Sequence, residues 1–179
     1  EVLFALSLCG LLPLARAADH VDITWMSITN LYLDFGRPRI VVDGYITRLP
    51  QDLFFGGGGG LAQTRRAMRP DEEAVREVFE ALGGRHAIDL LITGHSHFDH
   101  SFDTPVWARL SGAPIIGSTT TCLQTRAAKI PASRCRAVSG GERIVVGDGV
   151  TMYVVRWNHS GDPAKNPEQH DARELAAVP

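Results

Sequence analysis

The chain has 179 residues with 18 basic and 20 acidic side chains, a formal net charge of -2. With so little net charge and no basic run it has nothing to track a phosphate backbone, so nucleic acid is not an expected partner. A hydrophobic content of 44% suits one domain with its own core, and past the first residues no stretch is long and apolar enough for a membrane span.

The sequence starts at Glu1, not a methionine, and Val2 to Leu14 is apolar except for Ser7, Gly10 and Pro13. Ala15-Arg16-Ala17 follows, a small-x-small triplet of the kind signal peptidase cuts. The expectation is a signal peptide over 1–17 that lacks its basic start, then a single domain over 18–179 in the periplasm or outside the cell. Cys9 would leave with the signal. Export makes a disulfide between Cys122 and Cys135 chemically possible, with two free thiols as the open alternative.

Val21 to Trp25 alternates like a strand, and Arg39 to Val42 is a short apolar strand closed by Asp43-Gly44. Phe54-Phe55 and the five glycines Gly56 to Gly60 read as a loop, either a plain connection or a flap over substrate. Asp71 to Leu82 is the clearest helix. Asp71 stands at its start, Glu72 and Glu73 favour the positive end of the dipole, and Val75, Val78, Phe79 and Leu82 form one apolar face before Gly83-Gly84. Ile88 to Thr93 follows as a buried strand. A second helix is expected from Thr104-Pro105, with the threonine as cap, to Gly112. Pro114 to Gly117 reads as a strand, and Ser118 caps a helix through Ala128. Arg143 to Val146 and Val150 to Trp157 flank Gly147-Asp148-Gly149 as a hairpin, which makes Asp148 a turn residue. Glu168 to Ala177 is helix-like.

Gly94-His95-Ser96-His97-Phe98-Asp99-His100 sets three imidazoles and a carboxylate directly after an apolar strand. Imidazole nitrogen and carboxylate oxygen suit zinc and similar divalent ions, and an irregular loop lets residues two apart turn toward one point. A site that also holds a catalytic water needs three protein ligands. His159 is the best third candidate because it follows the strand ending Val154-Val155-Arg156-Trp157. His20, His86 and His170 are weaker placed. Ser96 reads as a small spacer, not a nucleophile.

The His-x-His-x-Asp-His run after a strand, followed by the lone His159, resembles the metallo-β-lactamase superfamily over residues 21 to 165. The resemblance implies an α+β fold, a four-layer αββα sandwich with metals at one edge of its sheets, of which this chain would hold the N-terminal half to two-thirds. It implies that His95, His97 and His159 hold a first metal and Asp99 and His100 a second, with Asp99 also orienting the bridging water. Asp43 stands at a family position that is usually structural, behind the ligands. Ile23-Thr24-Trp25, Asp43-Gly44, Ser111-Gly112-Ala113-Pro114 and His159-Ser160-Gly161 look most like the lactonase and phosphodiesterase-like branch. Departures from that branch are Ser27-Ile28 in place of its Gly-His, Gly94 in place of threonine, and Ser101-Phe102 in place of its glycine. His97 separates the chain from diiron redox members, which carry glutamate there.

These readings together predict a hydrolase using a metal-bound hydroxide on an ester, lactone, amide or phosphodiester. The ions are expected to be one or two zincs, with manganese or iron as alternatives. A metal-binding protein of the same fold without turnover is the competing function. The resemblance also requires a bridging acid and a final histidine beyond His159, which Asp162 and Asp171 are poorly placed to supply. The chain alone is therefore expected to be inactive.

Overall fold

The computed structural model describes residues 20–50, 67–147, 149–157 and 174–179. The expected signal segment, the glycine run with Phe54 and Phe55, and Asp148, His159, Asp162, His170 and Asp171 lie outside the described residues.

Among the described residues, eight strands and four α-helices follow in order: β1 Asp22–Trp25, β2 Leu31–Asp34, β3 Arg39–Val42, α1 Glu72–Ala81, β4 Leu90–Ile92, α2 Phe98–Ser101, α3 Thr104–Ser111, β5 Ile115–Gly117, α4 Thr119–Ala127, β6 Cys135–Ala137, β7 Arg143–Gly147 and β8 Val150–Tyr153. Strands β1 to β6 form one sheet in sequence order. The first three pair antiparallel and β3 through β6 pair parallel. Parallel neighbours need crossovers, and α1, α3 and α4 precede β4, β5 and β6 as those crossovers.

Side-chain alternation sorts this sheet into two faces. Val41, Leu91 and Ile115 face the helices and pack with Val75, Phe79, Val106 and Trp107. Their neighbours Ile40, Leu90 and Ile116 face the other way, against Ile144, Val146 and Met152 of the β7–β8 hairpin. The described architecture is thus mixed α and β in three layers: helices, a mixed sheet, and a two-stranded sheet. Among the described residues no helix is long and apolar enough to cross a membrane.

Local chemistry explains most boundaries. The Asp71 carboxylate accepts from Ala74 N at 3.0 Å and caps α1, and Gly83 leaves the helix at φ 105°. Val75 and Phe79 are buried with Val78 and Leu82 packed beside them, as the apolar stripe predicts. Ser118 caps α4 through Thr121 N at 3.1 Å. Four expectations need correction. The strand expected to run to Trp157 ends at Tyr153. Residue 103, not Thr104, occupies the cap position of α3; Thr104 turns inward, and its hydroxyl meets that of Thr93 at 3.1 Å in the interior. The stretch Ile88 to Thr93 opens only at Leu90, after a 3-10 turn over Gly84–Ala87. Residues 174–179 are not helical; Glu174 Oε2 accepts from Thr120 N at 2.6 Å and Leu175 N donates to Thr120 Oγ1 at 2.8 Å, so the tail spends its polar groups on the start of α4.

Cys122 and Cys135 form a disulfide that ties α4 to β6 across 13 positions. Closing a loop of that size removes entropy from the unfolded chain worth about 3 kcal/mol. Cys122→Ser is therefore expected to lower unfolding free energy by about 2–4 kcal/mol in urea denaturation, and wild-type protein under reductant should match the variant. Equal midpoints for oxidised and reduced protein would remove the bridge from the stability account.

Topology also places the candidate site. Strands β3 and β4 run parallel, and Asp43 and Thr93–His95 directly follow their last residues. Strand β1 runs the same way, antiparallel to β2, which is antiparallel to β3. Segments that leave β1, β3, β4 and β5 therefore gather at one sheet edge, where open α/β sheets commonly bind ligands.

Candidate metal centre

Strand β4 ends where Thr93 N makes its last sheet bond, to Ile116 O at 2.9 Å. The next residue, Gly94, donates its N–H to Asp43 Oδ1 at 2.7 Å. A Cβ at Gly94 would lie 3.3 Å from that oxygen, so the lack of a side chain eases the carboxylate's close approach. The chain stays extended at His97 (φ -67°, ψ 153°) and then turns into α2. His97 O accepts from His100 N at 3.0 Å and Ser101 N at 2.9 Å. The motif is thus half irregular and half helical, and the expectation of a wholly irregular loop is corrected. The irregular part aims His95, and one helical turn aims Asp99 and His100. Ser101 Oγ locks the turn by donating to Ser96 O at 3.1 Å and His97 O at 3.0 Å.

His95, Asp99 and His100 each offer a ligand atom, and these atoms lie within 4.8 Å of one another. The His95 ring stacks at a tilt on His100 with centroids 3.8 Å apart, and meets His97 edge-on at 4.6 Å. His97 therefore borders the cluster through His95 and is not one of the three grouped residues. His159 lies outside the described residues. The mixed imidazole and carboxylate donors fit a borderline divalent ion.

His100 is set from behind. Its Nδ1 lies 2.8 Å from Asp43 Oδ2 and 3.3 Å from Thr29 Oγ1. A carboxylate there accepts the Nδ1 proton and turns Nε2 outward as the donor atom, the usual partner of a metal-binding histidine. Nε2 faces Asp99 Oδ2 at 3.7 Å. Asp43 is itself buried and held at φ 60°, a left-handed conformation that aspartate adopts more readily than most residues. Its N–H donates to Ile92 O at 2.7 Å, so the strand continues up to the carboxylate it presents.

Burial pulls the His100 pKa down, but the hydrogen bond and charge of Asp43, helped by the charge of Asp99, outweigh it and leave the value raised. A histidine whose folded pKa is raised adds stability where the ring is protonated, and that stability is lost as pH rises through the folded value. In metal-free protein, Asp43→Asn is expected to lower the His100 pKa and weaken this acid-side stabilisation. Histidine NMR titration checks it, and an unchanged His100 midpoint would remove Asp43 as the cause.

Three site-supporting residues escape sequence reasoning: Asn30, Asp103 and Trp107, all fully buried. Asn30 and Asp103 are polar residues in loop-like stretches with no periodicity to mark them, and Trp107 reads only as core. Asp103 accepts from Ile46 N at 2.7 Å, Thr47 N at 2.6 Å and Thr47 Oγ1 at 2.7 Å. Burial raises its pKa, while these hydrogen bonds pull the other way. Gln124, on α4, donates to Ser96 O at 3.1 Å and supports the motif from below. The only available signal was Asp103 lying within one helical turn of His100.

No family model matches the chain. Among curated proteins it is similar to a UPF0173 metal-dependent hydrolase of Pyrobaculum arsenaticum, 36% identical over 73 residues, or 41% of this chain and 32% of that protein. Proteins of the same description from Pyrobaculum islandicum and Pyrobaculum neutrophilum are 33% and 34% identical over the same shares. The chain thus matches about a third of the length of these curated relatives.

Proposed function

We propose that this chain carries the metal-binding part of a metal-dependent hydrolase of the metallo-β-lactamase type, acting on an ester, lactone, amide or phosphodiester. The observation that carries the reading is the convergence of His95, Asp99 and His100 on one point at the sheet edge, with His100 oriented by a buried carboxylate. The relatives named as metal-dependent hydrolases support the class of reaction. His95, Asp99 and His100 would hold the ion, with His97 and His159 completing a set for one or two ions, of which zinc suits the donors best. Such an ion lowers the pKa of water and polarises the group under attack.

The chain's own groups supply the rest. Asp99 is 39% exposed at the mouth of the cluster, where its carboxylate can orient a water and accept a proton. Asp43 keeps the His100 proton on Nδ1, away from the mouth. The three described layers are consistent with part of an αββα sandwich. The disulfide between Cys122 and Cys135 supports export to the periplasm or beyond, since such bonds persist in oxidising compartments. The substrate is a small molecule, and no nucleic acid or membrane span enters the reading.

Metal analysis of the purified protein, paired with a panel of esters, lactones, amides and phosphodiesters, tests the proposal. In a protein that also supplies the bridging acid and final histidine the resemblance requires, bound metal with turnover of at least one class is the expected result, whereas residues 1–179 alone are expected to show no turnover. Metal without turnover on any class would favour the binding protein that lacks catalysis. His159→Ala is expected to lose metal, whereas His86→Ala should leave it unchanged. Equal effects would remove His159 from the ligand set.

A further inference from the structure

The loop that presents Asp43 has no regular secondary structure from Asp43 to Pro50, yet four consecutive residues in it are each gripped by a fully buried side chain. Trp107 Nε1 donates to Gly44 O at 2.6 Å. Asn30 pairs with both polar groups of Tyr45, accepting from its N–H at 3.0 Å and donating to its carbonyl at 2.8 Å. Asp103 accepts from Ile46 N, Thr47 N and the Thr47 hydroxyl at 2.6 to 2.7 Å. Thr47 Oγ1 in turn accepts from Asp71 N at 2.7 Å, linking the grip to the cap of α1. Burying a carboxylate is costly unless its hydrogen bonds are complete. A loop that merely joined β3 to α1 would not need one. Three donors converging on an acceptor-only group point to a built anchor.

The anchor's position in the chain is informative. Asp103 lies three residues after His100, just past the one-turn helix that carries that ring. A closed circuit results: from Asp103 across to Thr47, back along the loop to Asp43, across to His100, and through α2 to Asp103. Each crossing is a hydrogen bond of 2.8 Å or less. The Asp103 bonds thus fix the backbone a few residues beyond Asp43 relative to His100, which limits how far the carboxylate can shift from Nδ1.

We propose that Asp103 is a positioning residue for the metal centre, acting through the Asp43 loop to hold His100 in the tautomer that presents Nε2 to the ion. This rests on the reading of the cluster as a metal site, but its first test does not need metal. In metal-free, histidine-labelled protein, at a pH where the ring is neutral, nitrogen NMR reads the His100 tautomer directly. Wild type should show the proton on Nδ1. Asp103→Asn, which replaces one acceptor oxygen by a donor, should give a ring averaged between tautomers. Its zinc affinity, measured against a chelating dye, should fall about tenfold or more, the scale seen when partners behind a ligand are lost. Thr47→Val removes one of the three donors and should move both readouts the same way by less. A folded Asp103→Asn protein with the wild-type tautomer and zinc affinity would overturn the proposal and leave Asp103 as a fold anchor alone. If that variant does not fold, Thr47→Val decides, and wild-type values in it would count against the proposal equally. Failure of the wild type to bind zinc would instead sink the metal reading, and the tautomer comparison would still judge Asp103.

Discussion

In a protein with the full ligand set, His95→Ala is expected to strip bound metal and activity together while leaving the fold intact. His95 is the member of the cluster in ring contact with both His97 and His100, and it sits in the irregular half of the motif, outside both hydrophobic cores. Removing a donor from the ion costs more than removing a group that only orients a donor, which typically loses 10–100-fold in affinity or activity. The expected fall in kcat/KM therefore exceeds roughly 100-fold, with metal content dropping in parallel and circular dichroism unchanged. Full metal content and normal turnover in this variant would show that the ion, if any, is held elsewhere.

The largest expected loss of stability comes from Trp107→Ala. Trp107 is fully buried on α3 and meets Phe79 of α1 at an edge-to-face centroid distance of 6.3 Å. Truncating so large a core side chain costs about 3–5 kcal/mol through lost burial and the cavity left behind. The Gly44 carbonyl also loses its indole donor, and an unsatisfied buried acceptor adds about 1–3 kcal/mol. Gly44 has no side chain to turn into the vacated space, and its φ of 70° suits glycine. Trp107→Phe separates the two contributions: it keeps most of the packing, loses the hydrogen bond, and should cost about 1–3 kcal/mol. Urea denaturation of both variants is the measurement. A loss below about 1 kcal/mol for the alanine variant would place the main core elsewhere.

Much of the fold is legible in the sequence because its causes are local. Asp71, the paired glutamates and the stripe from Val75 to Leu82 specify α1 within one segment, and Ser118 starts α4 the same way. The motif is legible too, since four ligand-type side chains within six positions need little beyond a turn to approach one another. Strands β2 and β6 were not anticipated from the sequence. Each is short, and each is made a strand by its neighbours: Tyr32 pairs with Val41, and Cys135 pairs with Ile115. Nothing within three or four residues reveals that partner.

What the sequence alone determined is therefore the helices, the apolar strands at the sheet centre and the run of ligand-type side chains from His95 to His100. Tertiary structure decided how those residues are aimed. His95, Asp99 and His100 converge while His97 stands one ring away, because α2 begins at Phe98 and turns Asp99 and His100 by a helical step. His100 presents Nε2 because Asp43, 57 positions earlier, occupies Nδ1. Cys122 and Cys135 pair because β6 lies beside β5 at the edge where α4 packs. Hydrogen bonds and disulfides across such separations depend on loop closures that only the assembled sheet and helices make worth their entropy.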